Sequence, residues 1–347
     1  MCNGTTPFVY NLVSKEEYFS VNLFNTIVGS LGMCGNLFIL FLFWKYKSLR
    51  ENDSLRVFAL LAFCDFFAAF GQVEFSLTHL VRQLTNACEA TVLQCLLWSS
   101  APTFGVQMGQ IGLIAVAWDR LRVFKSAIVC TTRQHTRVYY AAPLLAVVYC
   151  LVTTGLLFPF VDLSGRPKTC NASDASPYFV AYWTMMSWAV SVTILAIYYR
   201  AYVLMRRILR SATLPNFARI LILKQSEMTF TIQLILLVFV VLWVIPNALV
   251  IVAYVFNRSE MLGRVVRIIG TGSGISSVAN VFIFSCRKGP IRRHVIKFLK
   301  ATNCIPCLAS TRPTRINRIV PVLNQARLVQ KFAHTQVAIK VTAASVH

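Results

Sequence analysis

The chain has 347 residues, a formal charge of +22, 56% hydrophobic residues and only 13% charged ones. A soluble protein of this size carries about 25% charged residues, so this composition, with a mean hydropathy of +0.62, excludes a large soluble domain and reads as a polytopic membrane protein. The positive charge does not mark a nucleic-acid binder, because it is sorted between alternate loops rather than gathered on one face.

Seven apolar spans follow in order: Phe19–Trp44, Leu55–Leu80, Cys95–Phe124, Val138–Phe160, Pro177–Leu204, Met228–Phe256 and Val265–Phe284. Each is long enough to cross a hydrocarbon core, which takes roughly 20 residues of helix. On one side fall four basic residues between Lys45 and Arg56, five between Arg120 and Arg137, six between Arg200 and Lys224 and twelve from Arg287 onward. Only seven basic residues fall on the other side: Lys15, Arg82, Arg166, Lys168, Arg258, Arg264 and Arg267. The basic-rich side is cytoplasmic by the positive-inside rule, which puts the N-terminus outside and the tail inside. The same charge makes a contact surface for anionic lipids of the cytoplasmic leaflet.

Residues 1–18 are read as an extracellular N-terminus and 19–284 as the membrane domain. The segment before Lys15-Glu16-Glu17 has no apolar core, so the first span itself is expected to direct insertion. Asn3-Gly4-Thr5 is a glycan acceptor on the outer side, as are Asn171-Ala172-Ser173 and Asn257-Arg258-Ser259. The first span carries Asn36 after Gly35, and an amide in hydrocarbon needs a partner on a neighbouring helix. The second span carries Asp65, and a mid-membrane carboxylate marks a functional site. Glu74 lies nine residues further out, about 180° around an ideal helix, so the two acids share a face only if Gly71 kinks the helix.

The third span is the centre of the chain. It runs uncharged from Cys95 to Trp118 and ends in Asp119-Arg120-Leu121. Gly105, Gly109 and Gly112 are spaced to let neighbouring helices approach closely. The fourth span is uncharged and ends at Pro159. The following polar loop, Val161–Ser176, contains Cys170. A Cys95–Cys170 disulfide would pin this loop over the bundle, with Cys88 as the competing partner, and all three lie where disulfides persist.

The fifth span runs on through Tyr198-Tyr199-Arg200 into a basic extension. The sixth contains Trp243 and Pro246, and a proline inside a spanning helix frees a carbonyl and kinks it. Glu227 sits at that helix's inner end. The seventh contains the run Gly270 to Gly274, which is apolar on both sides and reads as close packing rather than a phosphate loop. It continues to Ser277, Asn280 and Phe284. Residues 285–303 read as an amphipathic juxtamembrane helix, with Cys304 and Cys307 as palmitoylation candidates. Residues 304–347 read as a basic, disordered tail.

Together these features resemble the rhodopsin-like (class A) G-protein-coupled receptors over about residues 18–303. Cys95 precedes Arg120 by twenty-five positions, as the outer cysteine of that family precedes its DRY arginine. Gly35-Asn36, Leu61-x-x-x-Asp65, Asp119-Arg120-Leu121, Pro246, and Asn280 with Phe284 stand in the order of the family's motifs. The Asp-Arg-Leu variant, Phe104-Gly105 after Cys95, and Leu49-Arg50 look most like the nematode serpentine chemoreceptors of the Srsx type. The chain departs from the family at Val281 in NPxxY, at a missing fifth-helix proline, and at Trp243, one position before the usual tryptophan, whose place Val244 takes. Glu227 is one residue past the usual acid.

The resemblance implies an all-α, seven-transmembrane bundle at the plasma membrane, the sensory cilium included. It implies a receptor that binds a small extracellular ligand, activates a heterotrimeric G protein and engages arrestin. Asp119, Arg120, Leu121 and Glu227 would form the coupling switch, and Trp243 with Pro246 the hinge. Asn36, Asp65, Ser277 and Asn280 would form a polar core able to hold a sodium ion, although Gly109 stands where a serine often assists. Glu74, Ser99, Thr103, Gln107, Asn247 and Arg267 are ligand-site candidates from depth and polarity. Pro102, where amine receptors carry an acid, argues against a biogenic amine.

The rival readings are a neuropeptide receptor of the same fold and a transporter or channel. An enzyme is disfavoured: the histidines His79, His135, His294, His334 and His347 form no metal spacing and there is no G-x-S-x-G. Neither a metal site nor a nucleic-acid partner is expected.

Overall fold

A computed structural model of the chain describes residues 15–85, 90–129, 136–159, 161, 177–210, 233–256, 259–286 and 290–302. All regular structure among the described residues is helical. The seven spans are α1 (Lys15–Lys45), α3 (Asp53–Leu84), α4 (Val92–Val129), α5 (Thr136–Gly155), α6 (Pro177–Arg210), α7 (233–255) and α8 (Ser259–Cys286). Two short helices, α2 (Lys47–Arg50) and α9 (Pro290–Ala301), follow the first and last spans.

Most helices outrun the apolar stretches that announce them, since an established helix gains a backbone bond for every added residue and its ends extend beyond the apolar core. The fourth span is the exception. Its helix stops at Gly155 rather than near Phe160, and the amides of Leu156, Leu157 and Phe158 turn back to carbonyls three residues earlier. Pro159 disfavours the α conformation at Phe158, so the last turn tightens and ends. The first inner loop also differs from a plain loop. It folds as α2, whose Leu49 is fully buried in the main core beside Leu42, Leu55 and Val57.

α4 runs through the bundle interior, with Leu96, Met108, Val116 and Ala117 fully buried. Its tightest neighbour is α3. A Cβ on Gly105 would lie 2.5 Å from the Phe67 carbonyl oxygen, and one on Gly71 would strike the Ala101 carbonyl. A Cβ on Gly112 would lie 3.0–3.1 Å from Cys64 and Leu61. Gly109 has only Ala68 within reach, at 3.9 Å, so it makes space rather than contact. α3 is continuous through Gly71, and that glycine serves packing rather than a kink.

The glycine run of α8 has two separate uses. Gly272 passes so close to α7 that a Cβ would sit 2.6 Å from the Leu242 carbonyl. In a regular α-helical register that carbonyl is the acceptor that Pro246 leaves without a donor. Gly270 and Gly274 flank Gln72 of α3, as does Gly29 of α1, giving the side chain a slot where three helices meet. α9 buries Ile291 and Val295 and stacks Phe298 against Phe38 and Phe41 of α1, with centroids 5.4 and 5.6 Å apart.

Candidate functional site

The inner end of α4 holds a buried ion pair. Arg120 Nη2 lies 2.8 Å from Asp119 Oδ2, and the two residues are 2% and 5% exposed. Taking both charges out of water costs several kcal/mol per ion, and mutual pairing offsets it. Phe58 of α3 presents its ring 5.8 Å from the guanidinium. Tyr198 of α6 is half-buried, with its hydroxyl enclosed near both charges. The neighbouring residues set the orientation of the pair: Trp118 is 53% exposed, while Leu121 packs into Ile197, Ala201, Leu204 and Met205 of α6. Phe58 also stacks on Phe284 of α8, with centroids 5.1 Å apart. An aromatic bridge therefore joins Arg120 to the last span, at the position where the resemblance expects a tyrosine.

Deeper in the bundle, the four polar-core residues come together. Asn280 Nδ2 donates to Asp65 Oδ2 at 2.7 Å, and Ser277 Oγ donates to the Asp65 backbone carbonyl at 3.0 Å. Asn36 Nδ2 donates to the Gly32 carbonyl at 2.9 Å and reaches the Ser277 carbonyl at 3.4 Å. α1, α3 and α8 are thus tied by buried polar bonds around one carboxylate.

A cavity of about 40 Å³ opens beside Asp65, lined by Gly109, Gln110, Trp243, Ser273 and Ser276 among others. That is room for a few waters or one small hydrated cation. The available donors are one carboxylate and hydroxyl and amide oxygens, which suit a hard monovalent cation. Among the described residues no three acids, histidines or cysteines cluster as a metal site.

α7 widens into a π-helical turn at Val240–Val244, where the Ile245 amide bonds the Val240 carbonyl. A sequence reading expects a kink at Pro246; the structure places an extra residue in the turn just before it. This bears on the displaced tryptophan, because one added residue rotates what precedes it by about 100°. Trp243 is buried, lines the cavity, and meets Trp183 of α6 edge to face at 6.4 Å. Val244 is only half-buried.

Among the described residues, the ligand-site candidates Glu74, Ser99, Thr103, Gln107 and Asn247 do not line this cavity. Gln107 Oε1 accepts from Thr153 Oγ1 at 2.6 Å and from Thr154 at 3.5 Å, joining α4 to α5. Thr103 donates to the Ser99 carbonyl at 2.7 Å, and Asn247 to the Trp243 carbonyl at 2.8 Å. Ser99 Oγ and Glu74 Oε2 are buried without a hydrogen-bond partner among the described residues. Ser99, Thr103, Gln107 and Asn247 are buried and Glu74 is half-buried.

The side chain of Arg267 lies outside the described residues, as do Glu227, Cys170, Asn3, Asn171, Asn257, Cys304 and Cys307. Cys95 is disulfide-bonded, and both partners weighed for it, Cys88 and Cys170, are outside the described residues.

Sequence reasoning missed Gln110, which lines the cavity and donates to Ser187 of α6 at 3.5 Å. It also missed Gln72, whose Oε1 accepts from Ser273 at 3.4 Å, and the inward aim of Tyr198. The signal for both glutamines was the one used for Asn36, an amide within an apolar run.

The model of the family described as "serpentine type 7TM GPCR chemoreceptor Srsx" matches residues 27–299. The crystal structure of squid rhodopsin superposes with a TM-score of 0.63 at 15% identity, covering 84% of this chain and 88% of that one. At that identity the likeness shows the fold. No curated protein matches the chain in sequence.

Proposed function

The chain belongs to the Srsx family of serpentine seven-transmembrane G-protein-coupled chemoreceptors, and on that footing we propose how it senses and signals. It lies in the plasma membrane with its N-terminus outside and its tail in the cytoplasm, as the loop charges indicate. A small extracellular molecule binds among the outer halves of the helices. To shift the receptor it must bind the active arrangement better than the inactive one.

The observation that carries the proposal is the buried Asp119–Arg120 pair at the inner end of the central helix. In the resting state Asp119 holds Arg120 beside Phe58 and Tyr198. On activation α7 swings at the π turn and Pro246, the pair opens, and Arg120 faces the cavity that receives the G protein. Of the residues the sequence suggested for a sodium ion, Asp65 lines the cavity while Asn36, Ser277 and Asn280 do not; Asp65 with Ser273 and Ser276 would hold that ion in the resting state, and it would supply positive charge beside the carboxylate. The tail engages arrestin and anionic lipid.

The test is G-protein recruitment to the expressed receptor, challenged with a panel of small environmental metabolites and a panel of amidated peptides. Arg120→Ala, matched for surface expression, runs alongside. The proposal expects a metabolite response that Arg120→Ala abolishes. A peptide response would overturn the small-molecule assignment, and a response undiminished in Arg120→Ala would overturn the switch. Coupled solute flux without recruitment would mark a transporter.

A further inference from the structure

The wall of the Asp65 cavity draws on four helices. α3 gives it Asp65, and α8 gives it Ser273 and Ser276. α4 gives it Val106, Gly109, Gln110 and Leu113, one helical face at spacings of three and four. Of these four only Gln110 carries a polar side chain. Gly109 adds no side chain, and a Cβ there would meet only Ala68, at 3.9 Å. Any oxygen that an α4 side chain offers the cavity is therefore that of Gln110.

Where each polar group spends its hydrogens decides what the cavity suits. A glutamine amide has two N–H donors and one carbonyl acceptor. Gln110 Nε2 donates to Ser187 Oγ of α6 at 3.5 Å, and Ser187 is not among the residues that line the cavity. Ser187 is 2% exposed, and its carbonyl accepts from Ser191 Oγ at 2.7 Å. With the amino group drawn to α6, the carbonyl oxygen is what Gln110 has left for the cavity. Ser273 is used in the same sense. Its Oγ donates to the Gly270 carbonyl at 2.8 Å and reaches Gln72 Oε1 at 3.4 Å, so its lone pairs are what remain. Asp65 takes the Asn280 amide on Oδ2, and an ionised carboxylate can only accept. Oxygen acceptors from α3, α4 and α8 thus border one space of about 40 Å³. Acceptors do not bond one another, and a hard cation is a guest they can share.

We propose that Gln110 is the α4 ligand of the sodium ion at Asp65, supplying Oε1 while Ser187 holds its amino group on α6. This rests on the sodium ion proposed above and adds the residue that gives α4 an oxygen where Gly109 has none. The ion then ties α6, through Gln110, to α3 and α8. A Gln110 that only bridged α4 and α6 would stabilise the receptor to the same extent with or without sodium.

The test is the thermal unfolding midpoint of the detergent-solubilised full chain, with sodium chloride titrated against choline chloride at constant ionic strength. The unsubstituted chain and Asp65→Asn are read first. A saturable rise with sodium in the unsubstituted chain, absent from Asp65→Asn, is expected. No rise, or one that Asp65→Asn retains, overturns the sodium ion at Asp65 and the role of Gln110 with it, before any Gln110 variant is read. Gln110→Met, which keeps the length of the side chain and removes its oxygen, should then raise the half-saturating sodium concentration by roughly tenfold, the scale of one lost bond to a charged group. An unchanged half-saturation overturns the proposal while leaving the ion in place, even where the sodium-free midpoint falls, because that fall measures the α4–α6 bridge alone. Where Gln110→Met yields no folded receptor, Gln110→Glu decides. A second carboxylate on the wall lowers the half-saturating concentration if position 110 meets the ion, and an unchanged or higher value overturns the proposal.

Discussion

α3 and α6 both span the bilayer, yet their apolar segments do different work. In α3, 56% of the most apolar window is buried against other helices; in α6 the figure is 17%. α4 and α5 make the same contrast from the side of composition. Neither is among the five described helices long and apolar enough by themselves to cross a membrane, α5 because its described apolar stretch is short and α4 although it runs through the bundle interior. α4 carries buried Gln107 and Gln110, which bond Thr153 of α5 and Ser187 of α6, and such neighbours supply the hydrogen bonds that lipid cannot. α5 turns Leu144, Leu145, Val148, Leu151 and Val152 outward instead. In α4 a protein surround, rather than lipid, is what permits a spanning helix to be polar.

The strongest way to break this contrast is to thicken the α3–α4 contact. Gly105→Leu drives a side chain into the Phe67 backbone, where a single Cβ is already at 2.5 Å. Backbone cannot repack as side chains do, so the cost exceeds the ~1–3 kcal/mol of ordinary overpacking. Surface expression should be lost, and a receptor that reaches the surface at the normal level would refute the contact. Next comes Asn280→Leu, which removes the donor to the buried Asp65 carboxylate. A loss of about 1.5–3 kcal/mol is expected, seen as a clear fall in the thermal unfolding midpoint of the detergent-solubilised receptor; an unchanged midpoint would mean the bond does not hold α3 to α8.

Gly272→Ala sharpens the comparison at the α7–α8 crossing. The methyl meets the Leu242 carbonyl, so α8 must move by some tenths of an ångström. A destabilisation of ~1–3 kcal/mol is expected, and Pro246→Ala, which restores a donor for that carbonyl, should partly rescue it in a double-mutant cycle. Smallest are changes on the lipid side. Leu144→Ala, at a residue 67% exposed, should shift stability by no more than about 0.5 kcal/mol. Gly155→Ala, with nothing within 4 Å of its Cβ, should leave the midpoint unchanged or raise it slightly. A large fall from either would show that α5 has a protein neighbour on that face.

Seven spans and the exceptional placement of Asp65, Asn36 and Asp119-Arg120 as polar groups buried in the bundle were legible in the chain. Each breaks an apolar run or terminates one, and the cost of placing such groups in hydrocarbon makes them conspicuous. The outward ligand candidates were less legible. Depth and polarity picked Gln107 and Thr103, but polarity cannot tell a side chain that faces a ligand from one that bonds a neighbouring helix, as Gln107 does, or its own, as Thr103 does. Trp243 appeared displaced because a linear register assumes a uniform helix, and a π turn is invisible to that count. The glycines of α8 were recognised as packing, without what they pack against.

The sequence by itself determined which segments are apolar enough to cross a membrane and which loops carry the basic residues, because hydrocarbon thickness and the sorting of charge act on short segments one at a time. Only the tertiary structure decided that Gly272 clears a carbonyl freed by proline, that three glycines make room for Gln72, and that Phe58 links Arg120 to Phe284. Those contacts join residues from different spans, and helix rotation and crossing geometry, set by the packing of all the helices together, decide which side chains meet.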